Sequence, residues 1–309
     1  MTFKNKEEKY LHQFNELVAK HSWELPENTL PPIFIVGAPR SGTTLLTQVL
    51  ISSFELGYID NISSKFWTNP LMGVIISNAI EPFQDRILSD YSSNIGFTKG
   101  ANGPHEFGYF WKRWFSYGKT HELTDAELKR IPSNEIQKEI HQLSSFFNIP
   151  FLFKNAVAIT LQVAFLARIF PKAIFLYCNR DPLFNAQSLL LSRQKHFNGI
   201  DKWFSAKPLA YLQLKDSPIE DQIAGQVYYC NKIILDSVSL IENRMEKINY
   251  KQFCINPEET IQRIQSHCLK HGLTPKIKSV KWKPFEHSNK RVLPKNQFQK
   301  LESALQEYF

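Results

Sequence analysis

The chain of 309 residues is 43% apolar and 21% charged, and its 37 lysines and arginines outnumber its 29 aspartates and glutamates. This composition excludes a disordered chain and a disulfide-rich scaffold, and the length allows one large domain or two fused ones. The net charge of +8 is dispersed along the chain, so it indicates an anionic small ligand and disfavours nucleic acid as a partner.

The four cysteines lie far apart and form no C-x-x-C pair: Cys178, Cys230, Cys254 and Cys268. This spacing favours buried apolar side chains in a reducing compartment. Residues 1–31 are charged and helical in pattern, without the apolar core of a secretory signal, and no later apolar run reaches the ~18 residues of a membrane span. We therefore expect a cytoplasmic protein with an N-terminal helical extension over residues 1–30 and no membrane span.

Four short apolar runs predict strands, each followed by turn residues and a helical pattern: residues 33–36, 151–153, 173–178 and 248–253. The first run is apolar throughout, as a strand buried on both faces of a parallel sheet should be. Helices are predicted over residues 45–54, 161–169 and 217–241, and from Pro182 and Pro257, which Asp181 and Asn256 precede as caps. This alternation predicts an α/β fold with an open, doubly wound parallel sheet flanked by helices.

Residues 56–150 break the alternation and are predicted to form a helical, aromatic-rich insertion that binds the acceptor substrate within a single domain of residues 1–309. Residues 105–117 read HEFGYFWKRWFSY and contain seven aromatic side chains. They predict either a helix buried in the core or the wall of a pocket for a stacked ring or sugar. Residues 196–216 are also irregular, as a lid, an acceptor-binding loop or an ordinary surface connection would be.

The sharpest motif is GAPRSGTT at residues 37–44, between the first predicted strand and its helix. It nearly matches the Walker A pattern, but Thr43 stands where that pattern has the lysine that neutralises the β- and γ-phosphates. Triphosphate chemistry is therefore the weaker interpretation. Arg40, the hydroxyls of Ser41, Thr43 and Thr44, and the free amides at the helix start suit a single compact anion, either a phosphate or a phosphosulfate.

At these residues the sequence resembles the sulfotransferases that use 3′-phosphoadenosine 5′-phosphosulfate (PAPS), whose donor loop reads P-[KR]-S-G-T-T. A second motif of that family is also present: Arg180, Asp181 and Pro182 end a predicted strand, and Ser188 follows Arg180 by eight residues. Residues 151–193 as a whole are similar to bacterial and Golgi-type members.

The resemblance implies a P-loop-like fold and a cofactor site of defined residues. Arg40, Ser41, Gly42, Thr43 and Thr44 would hold the 5′-phosphosulfate. Arg180 and Ser188 would hold the 3′-phosphate, and the position of Tyr250 is compatible with the same site. The product would be adenosine 3′,5′-bisphosphate, and this chemistry requires no metal.

Sulfuryl transfer requires positive charge beside the leaving phosphate and a base for the acceptor hydroxyl. Arg40 is the first candidate for the positive charge. His105 and Glu106 would be the base and its orienting partner, or one base beside one group that binds the acceptor, although they could instead be an exposed cap residue and a carboxylate that favours the helix dipole. Lys154, at the end of a predicted strand, would touch the sulfate or the acceptor, or simply be an exposed lysine. Glu55 and Asp60 are weaker candidates for the base.

The remaining basic and metal-ligating residues give weaker signals. Arg193 and the pair Lys290 and Arg291 could reach the 3′-phosphate, although such charges usually face solvent. His267 and His271 have the spacing of a metal pair on one helix, but no third ligand accompanies them, so we predict no metal site.

The sequence thus predicts a PAPS-dependent sulfotransferase. Its acceptor is expected to be a carbohydrate or lipid-linked saccharide, because aromatic side chains beside a cleft suit sugar faces, although a phenol, an amine or a small metabolite could use the same pocket. The alternatives are a kinase of nucleotides or small molecules with a degenerate P-loop, and a nucleotide-binding protein without catalysis.

Overall fold

A computed structural model describes residues 5–21, 23, 30–88, 91–92, 94 and 96–309. Its centre is a sheet of five strands in the order β2-β3-β1-β4-β5, and every strand pair is parallel. The strands are β1 Ile33–Val36, β2 Gly57–Tyr58, β3 Phe151–Lys154, β4 Ile174–Asn179 and β5 Met245–Asn249. The prediction of a parallel α/β sheet flanked by helices is confirmed.

Fifteen α-helices lie within the described residues: α1 Lys6–Val18, α2 Thr43–Ser53, α3 Pro70–Ile80, α4 Gly108–Trp114, α5 Asp125–Leu128, α6 Ser133–Phe147, α7 Ala158–Leu161, α8 Val163–Ile169, α9 Pro182–Phe197, α10 Tyr211–Leu214, α11 Ile219–Asp236, α12 Val238–Ile241, α13 Tyr250–Ile255, α14 Pro257–Lys270 and α15 Lys295–Gln306. Two 3₁₀ turns cover Ser63–Lys65 and Glu242–Arg244. Of the predicted N-terminal extension, α1 is described, and residues 1–4, 22 and 24–29 lie outside the described residues.

The centre of the sheet is the most apolar part of the molecule. Every residue of β1 and β3 is buried, which is expected where helices cover both faces of a parallel strand. The ring of Phe34 packs against Phe153 on the neighbouring strand and against Phe170 and Phe175, with centroid distances of 5.6–5.9 Å. The packing of this core helps to fix where each strand ends along the sheet.

Three predicted elements are bounded differently in the structure. The strand expected over 248–253 ends at Asn249, whose side chain accepts from the N–H of Gln252 and starts α13. The helix expected through 161–169 is divided at Gln162, whose side-chain amide binds the backbone of His121 and Leu123. The helix expected over 217–241 begins at Ile219 and is interrupted at Ser237. Two of these differences, at Asn249 and Gln162, arise where a polar side chain binds backbone groups.

Residues 56–150 contain β2 as well as helices α3 to α6, so part of this segment belongs to the sheet edge. The aromatic stretch forms α4, and its rings enter the main core: Phe107, Phe110, Trp111 and Phe115 are each at most 2% exposed. The core interpretation therefore holds for these four rings, whereas Tyr109 is exposed. The four cysteines are buried and free of disulfides, as the burial prediction required.

Candidate functional site

The carboxyl ends of four neighbouring strands converge on one cleft. Residues 37–42 follow β1, Lys154 ends β3, Arg180 follows β4 and Tyr250 follows β5. Because all the strands are parallel, these residues meet at a single edge of the sheet, where open α/β sheets bind their ligands. This arrangement follows from the strand order and needs no long excursion of any loop.

The cleft has a volume of about 180 Å³. Most residues that the sequence assigned to cofactor binding line it, namely Arg40, Gly42, Thr43, Thr44, Arg180, Ser188 and Tyr250. Ser41 lies just beneath, with its backbone carbonyl accepting from the Sγ of Cys178. Glu106 also lines the cleft, whereas Lys154 reaches it only through hydrogen bonds and His105 lies beside it.

The loop from Gly37 to Gly42 has the shape of an anion cradle. Gly42 caps α2 with a φ of +105°, and a Cβ at this residue would lie 2.3 Å from the ring of Tyr250, so only glycine fits. The first intrahelical hydrogen bond runs from the N–H of Leu46 to the carbonyl of Gly42, which leaves the preceding helix amides available to a ligand. The buried hydroxyl of Ser41 has no hydrogen-bond partner within the described chain. These free donors favour an anion at the start of α2.

Arg40 brings positive charge to this cradle. Its backbone is left-handed, with a φ of +71°, and its Nε donates to Ser188 Oγ at 3.4 Å. Burial lowers the pKa of Arg40, while Tyr250 and Glu106 partly oppose that shift. A partly desolvated guanidinium of this kind interacts strongly with an anion, because little water screens it.

Arg180 is almost fully buried and ties the two predicted motifs together. Its Nη1 donates to the carbonyl of Arg40 at 2.9 Å, its Nε donates to Asn289 Oδ1 at 2.8 Å, and its Nη2 donates to the carbonyl and hydroxyl of Ser288 at 3.0 and 3.1 Å. The guanidinium also lies over the ring of Tyr250, 4.8 Å from its centroid. Desolvation lowers the pKa of Arg180. Sequence reasoning missed Ser288 and Asn289, because no motif marks the irregular segment that carries them.

Lys154 and Glu106 form an ion pair at the floor of the cleft. The Nζ of Lys154 donates to Glu106 Oε1 and, at 3.0 Å, to Thr44 Oγ1. The lysine side chain is 5% exposed and the glutamate side chain 38%. Lys154 therefore links the loop of residues 37–42 and the start of α2 to a carboxylate that remains accessible from the cleft. The backbone of Glu106 is held by Asn155, whose Nδ2 donates to the Glu106 carbonyl at 2.9 Å.

His105 has a defined orientation. The ring Nδ1 accepts from the backbone N–H of Phe107 at 2.9 Å. The backbone N–H of His105 donates to the carbonyl of Ile59 at 2.8 Å. Burial lowers the pKa of His105. A neutral imidazole that accepts at Nδ1 carries its proton on Nε2, so this ring is arranged to donate a hydrogen bond there.

A second cavity, which we call the side cavity, adjoins the cleft and has a volume of about 220 Å³. It is lined by Asn61, Phe97, Thr98, Pro104, His105 and Asn155, and it shares Gly96 and Glu106 with the cleft. Glu106 therefore stands at the junction of the two spaces.

Several weaker candidates lie elsewhere. Asp60 is fully buried and bound by Arg86 Nη1 at 2.8 Å and by Ser63, which makes it a structural charge. Glu55 pairs with Lys276 at 3.4 Å, away from the cleft lining. The Nη2 of Arg193 donates to Gln222 Oε1 at 2.9 Å.

The exposed basic and histidine candidates do not line the cleft either. Lys290 pairs with Glu286 on the surface, and Arg291 is exposed. The rings of His267 and His271 lie 4.7 Å apart, and no group of three or more metal-ligating side chains occurs in the described part of the chain.

The irregular segment at residues 196–216 contributes to the cleft through Phe204 and Ser205. It is held in place by Gln226, whose Nε2 donates to the carbonyls of Phe204 and Ala206 at 2.8 and 2.6 Å. Ser205 has a φ of +67°. Gln226 thus supports the part of this segment that lines the cleft.

Comparison with known proteins identifies the family of the chain. The model of the sulfotransferase family matches residues 31–270, which includes all five strands. The chain belongs to the sulfotransferase family. No curated protein matches the chain significantly by sequence.

A solved sulfotransferase structure shares the fold. A sulfotransferase from Mycobacterium avium is 15% identical, with a TM-score of 0.53 over 98% of this chain and 74% of that one. A sulfotransferase from Alicyclobacillus acidocaldarius is 14% identical, with a TM-score of 0.42 over 90% of this chain and 97% of that one. In the residues that the structure covers, no helix is both long enough and apolar enough to cross a membrane.

Proposed function

We propose that this sulfotransferase moves the sulfuryl group of PAPS to an acceptor hydroxyl, with Glu106 as the general base. The observation that carries the proposal is the convergence of Arg40, Arg180 and Ser188 with the start of α2 on one cleft that Glu106 also lines. The unpartnered Ser41 hydroxyl and the free amides at the start of α2 fit an anion in the cradle.

The two phosphate-binding roles divide along the cleft. Residues 40–44 would hold the 5′-phosphosulfate through backbone amides, hydroxyls and the Arg40 guanidinium. Arg180 and Ser188 would hold the 3′-phosphate, and Tyr250 would form the wall between the two sites. The two bonds to Ser288 occupy Nη2 of Arg180, whereas Nη1 keeps a second N–H beside its bond to the Arg40 carbonyl, so a phosphate would bind Arg180 through Nη1.

The transfer is a displacement at sulfur. The acceptor oxygen forms a new S–O bond, and the bond between sulfur and the bridging oxygen of the phosphate breaks. Negative charge grows on that bridging oxygen, where Arg40 and the loop amides stabilise it. The acceptor proton passes to the free carboxylate oxygen of Glu106, and adenosine 3′,5′-bisphosphate leaves.

The other two predicted catalytic residues act around this step. Lys154 orients Glu106 through Oε1 and contacts the loop through Thr44, which keeps the proposed base beside the loop. His105, with its proton on Nε2, donates a hydrogen bond to the acceptor. In this proposal Glu106 is the base and His105 binds the acceptor, so the two residues have separate roles.

Calorimetric titration with adenosine 3′,5′-bisphosphate, beside a titration with ATP and Mg²⁺, tests the donor assignment. We expect the bisphosphate to bind tightly and ATP weakly. The reverse preference would favour the kinase alternative, in which Lys154 at Thr44 replaces the missing loop lysine. Binding of the bisphosphate without turnover of PAPS on any acceptor would favour a non-catalytic nucleotide-binding protein.

A further inference from the structure

The side cavity lies where an acceptor must approach the sulfuryl group. Its junction with the cleft is formed by Gly96 and Glu106. A Cβ built on Gly96 would lie 3.7 Å from Glu106 Oε1 and 3.9 Å from Thr44 Oγ1, so this glycine borders both the base and the donor loop. A hydroxyl that enters from the side cavity reaches Glu106 next to the cradle that holds the sulfuryl group.

The polar side chains that line the side cavity are mostly committed to the protein itself. The Nδ2 of Asn61 donates to the carbonyls of Thr98 and Gly100, and the hydroxyl of Thr98 donates to the carbonyl of Pro104. Asn155 donates to the Glu106 carbonyl and accepts from the N–H groups of Val157 and Ala158.

The Nε2 of His105 has no acceptor in the protein. It is the one such side-chain donor that lines this cavity in the described residues. On the neighbouring residues His105 and Glu106, the uncommitted side-chain atoms are thus one donor, Nε2, and one acceptor, Oε2. These two groups match the needs of a single hydroxyl. A saccharide carries a hydroxyl on most ring carbons, and each one buried here without a partner would lower affinity.

The rest of the cavity wall is apolar. Phe97 and Pro104 line it. Phe97 has 65% of its surface exposed and lies on a turn closed by reciprocal backbone hydrogen bonds with Asn94. Of the aromatic side chains that had suggested sugar stacking, Phe107, Phe110, Trp111 and Phe115 are packed into the core, and none of the seven lines the side cavity. The volume of about 220 Å³ is below the range typical of sites for drug-sized ligands.

We propose that the acceptor is a compact alcohol or phenol with an apolar body and one reacting hydroxyl, held in the side cavity. This inference rests on the proposed sulfuryl transfer and narrows its substrate class. The hydroxyl donates to Glu106 and accepts from His105, while Phe97 and Pro104 contact the apolar body.

A pair of probes tests the proposal: cyclohexylmethanol and methyl α-glucopyranoside share a six-membered ring with a primary hydroxymethyl group, and the glucoside adds three ring hydroxyls, a ring oxygen and a methoxy group. Each is titrated into the protein saturated with adenosine 3′,5′-bisphosphate, and each is assayed as acceptor with PAPS. We expect cyclohexylmethanol to bind at least tenfold more tightly, on the scale of specificity that one apolar pocket supplies. We also expect it to be sulfated with the higher kcat/KM.

Two variants locate the binding. Phe97→Ala should weaken cyclohexylmethanol binding by about tenfold without changing the affinity for the bisphosphate. Phe309→Ala is the matched control, because Phe309 is 62% exposed and lines neither space. Equal or tighter binding of the glucoside, no detectable binding of either probe, or an unchanged affinity in Phe97→Ala would overturn the inference. Failure of the bisphosphate itself to bind would instead overturn the proposed function.

Discussion

The guanidinium of Arg180 donates to the backbone carbonyl of Arg40 across 2.9 Å and so joins two sequence motifs that lie 140 residues apart. The contact holds Arg40 in its left-handed conformation at the mouth of the anion cradle. The donor loop is therefore shaped partly by the residue proposed to bind the other end of the cofactor, which couples the two phosphate positions.

Replacement of Arg180 by alanine should weaken the binding of adenosine 3′,5′-bisphosphate by about 1.5–3 kcal/mol, the scale of lost charged hydrogen bonds. Calorimetry measures this affinity, and thermal unfolding reports whether the variant remains folded. Arg291→Ala is the control, since Arg291 is an exposed arginine outside the cleft lining. An unchanged affinity in Arg180→Ala would remove the 3′-phosphate assignment.

Replacement of Glu106 by glutamine should lower kcat by roughly 10²–10⁴-fold, the usual contribution of a general base, and leave bisphosphate affinity nearly intact. His105→Ala should raise the KM of the acceptor more than it lowers kcat, because His105 is proposed to donate a hydrogen bond at Nε2. Steady-state kinetics with PAPS separates the two effects. Full activity in Glu106→Gln together with an inactive His105→Ala would assign the base to His105.

Replacement of Gly42 by alanine should impair both stability and anion binding. The φ of +105° and the 2.3 Å approach to the ring of Tyr250 leave no room for a methyl group, so the loop must shift at a cost of roughly 1–3 kcal/mol. Gly108→Ala is the matched control, because no atom lies within 4 Å of its Cβ position and its φ is ordinary. Equal melting temperatures and affinities in the two variants would contradict the argument.

The stability of the protein should fall as the pH is lowered from 6.5 to about 4. Burial and the nearby Lys207 lower the pKa of His121 from 6.5 to about 4, so the unfolded chain binds a proton in this window that the folded chain does not. The stabilisation is complete above pH 6.5 and is lost as the pH approaches the folded pKa.

Urea unfolding at several pH values measures this effect, which we expect to be roughly 1–2 kcal/mol after allowance for partial exposure. His121→Asn retains an acceptor for the N–H of Lys207, a bond that is 3.2 Å long in the native protein. That variant should show a flatter dependence over the same range. A dependence as steep as that of the native protein would assign it to other histidines.

The sequence by itself determined the elements that depend on local signals. The apolar run at 33–36, the glycine-rich loop and the cap at Asp181 with Pro182 each act within a few residues, and each lies where it was predicted. Because parallel strands end at one edge, those signals also placed Arg40 and Arg180 in one cleft.

The tertiary structure alone decided which candidate acidic side chain lies at the cleft. Asp60 and Glu106 were both candidates in the sequence, but Asp60 is enclosed with Arg86, whereas Glu106 meets Lys154 at the cleft. It also decided that the aromatic stretch belongs to the core and that Ser288 and Asn289 bind Arg180. These contacts join residues 26 to 109 positions apart, and they depend on how whole elements pack, which no short sequence pattern encodes.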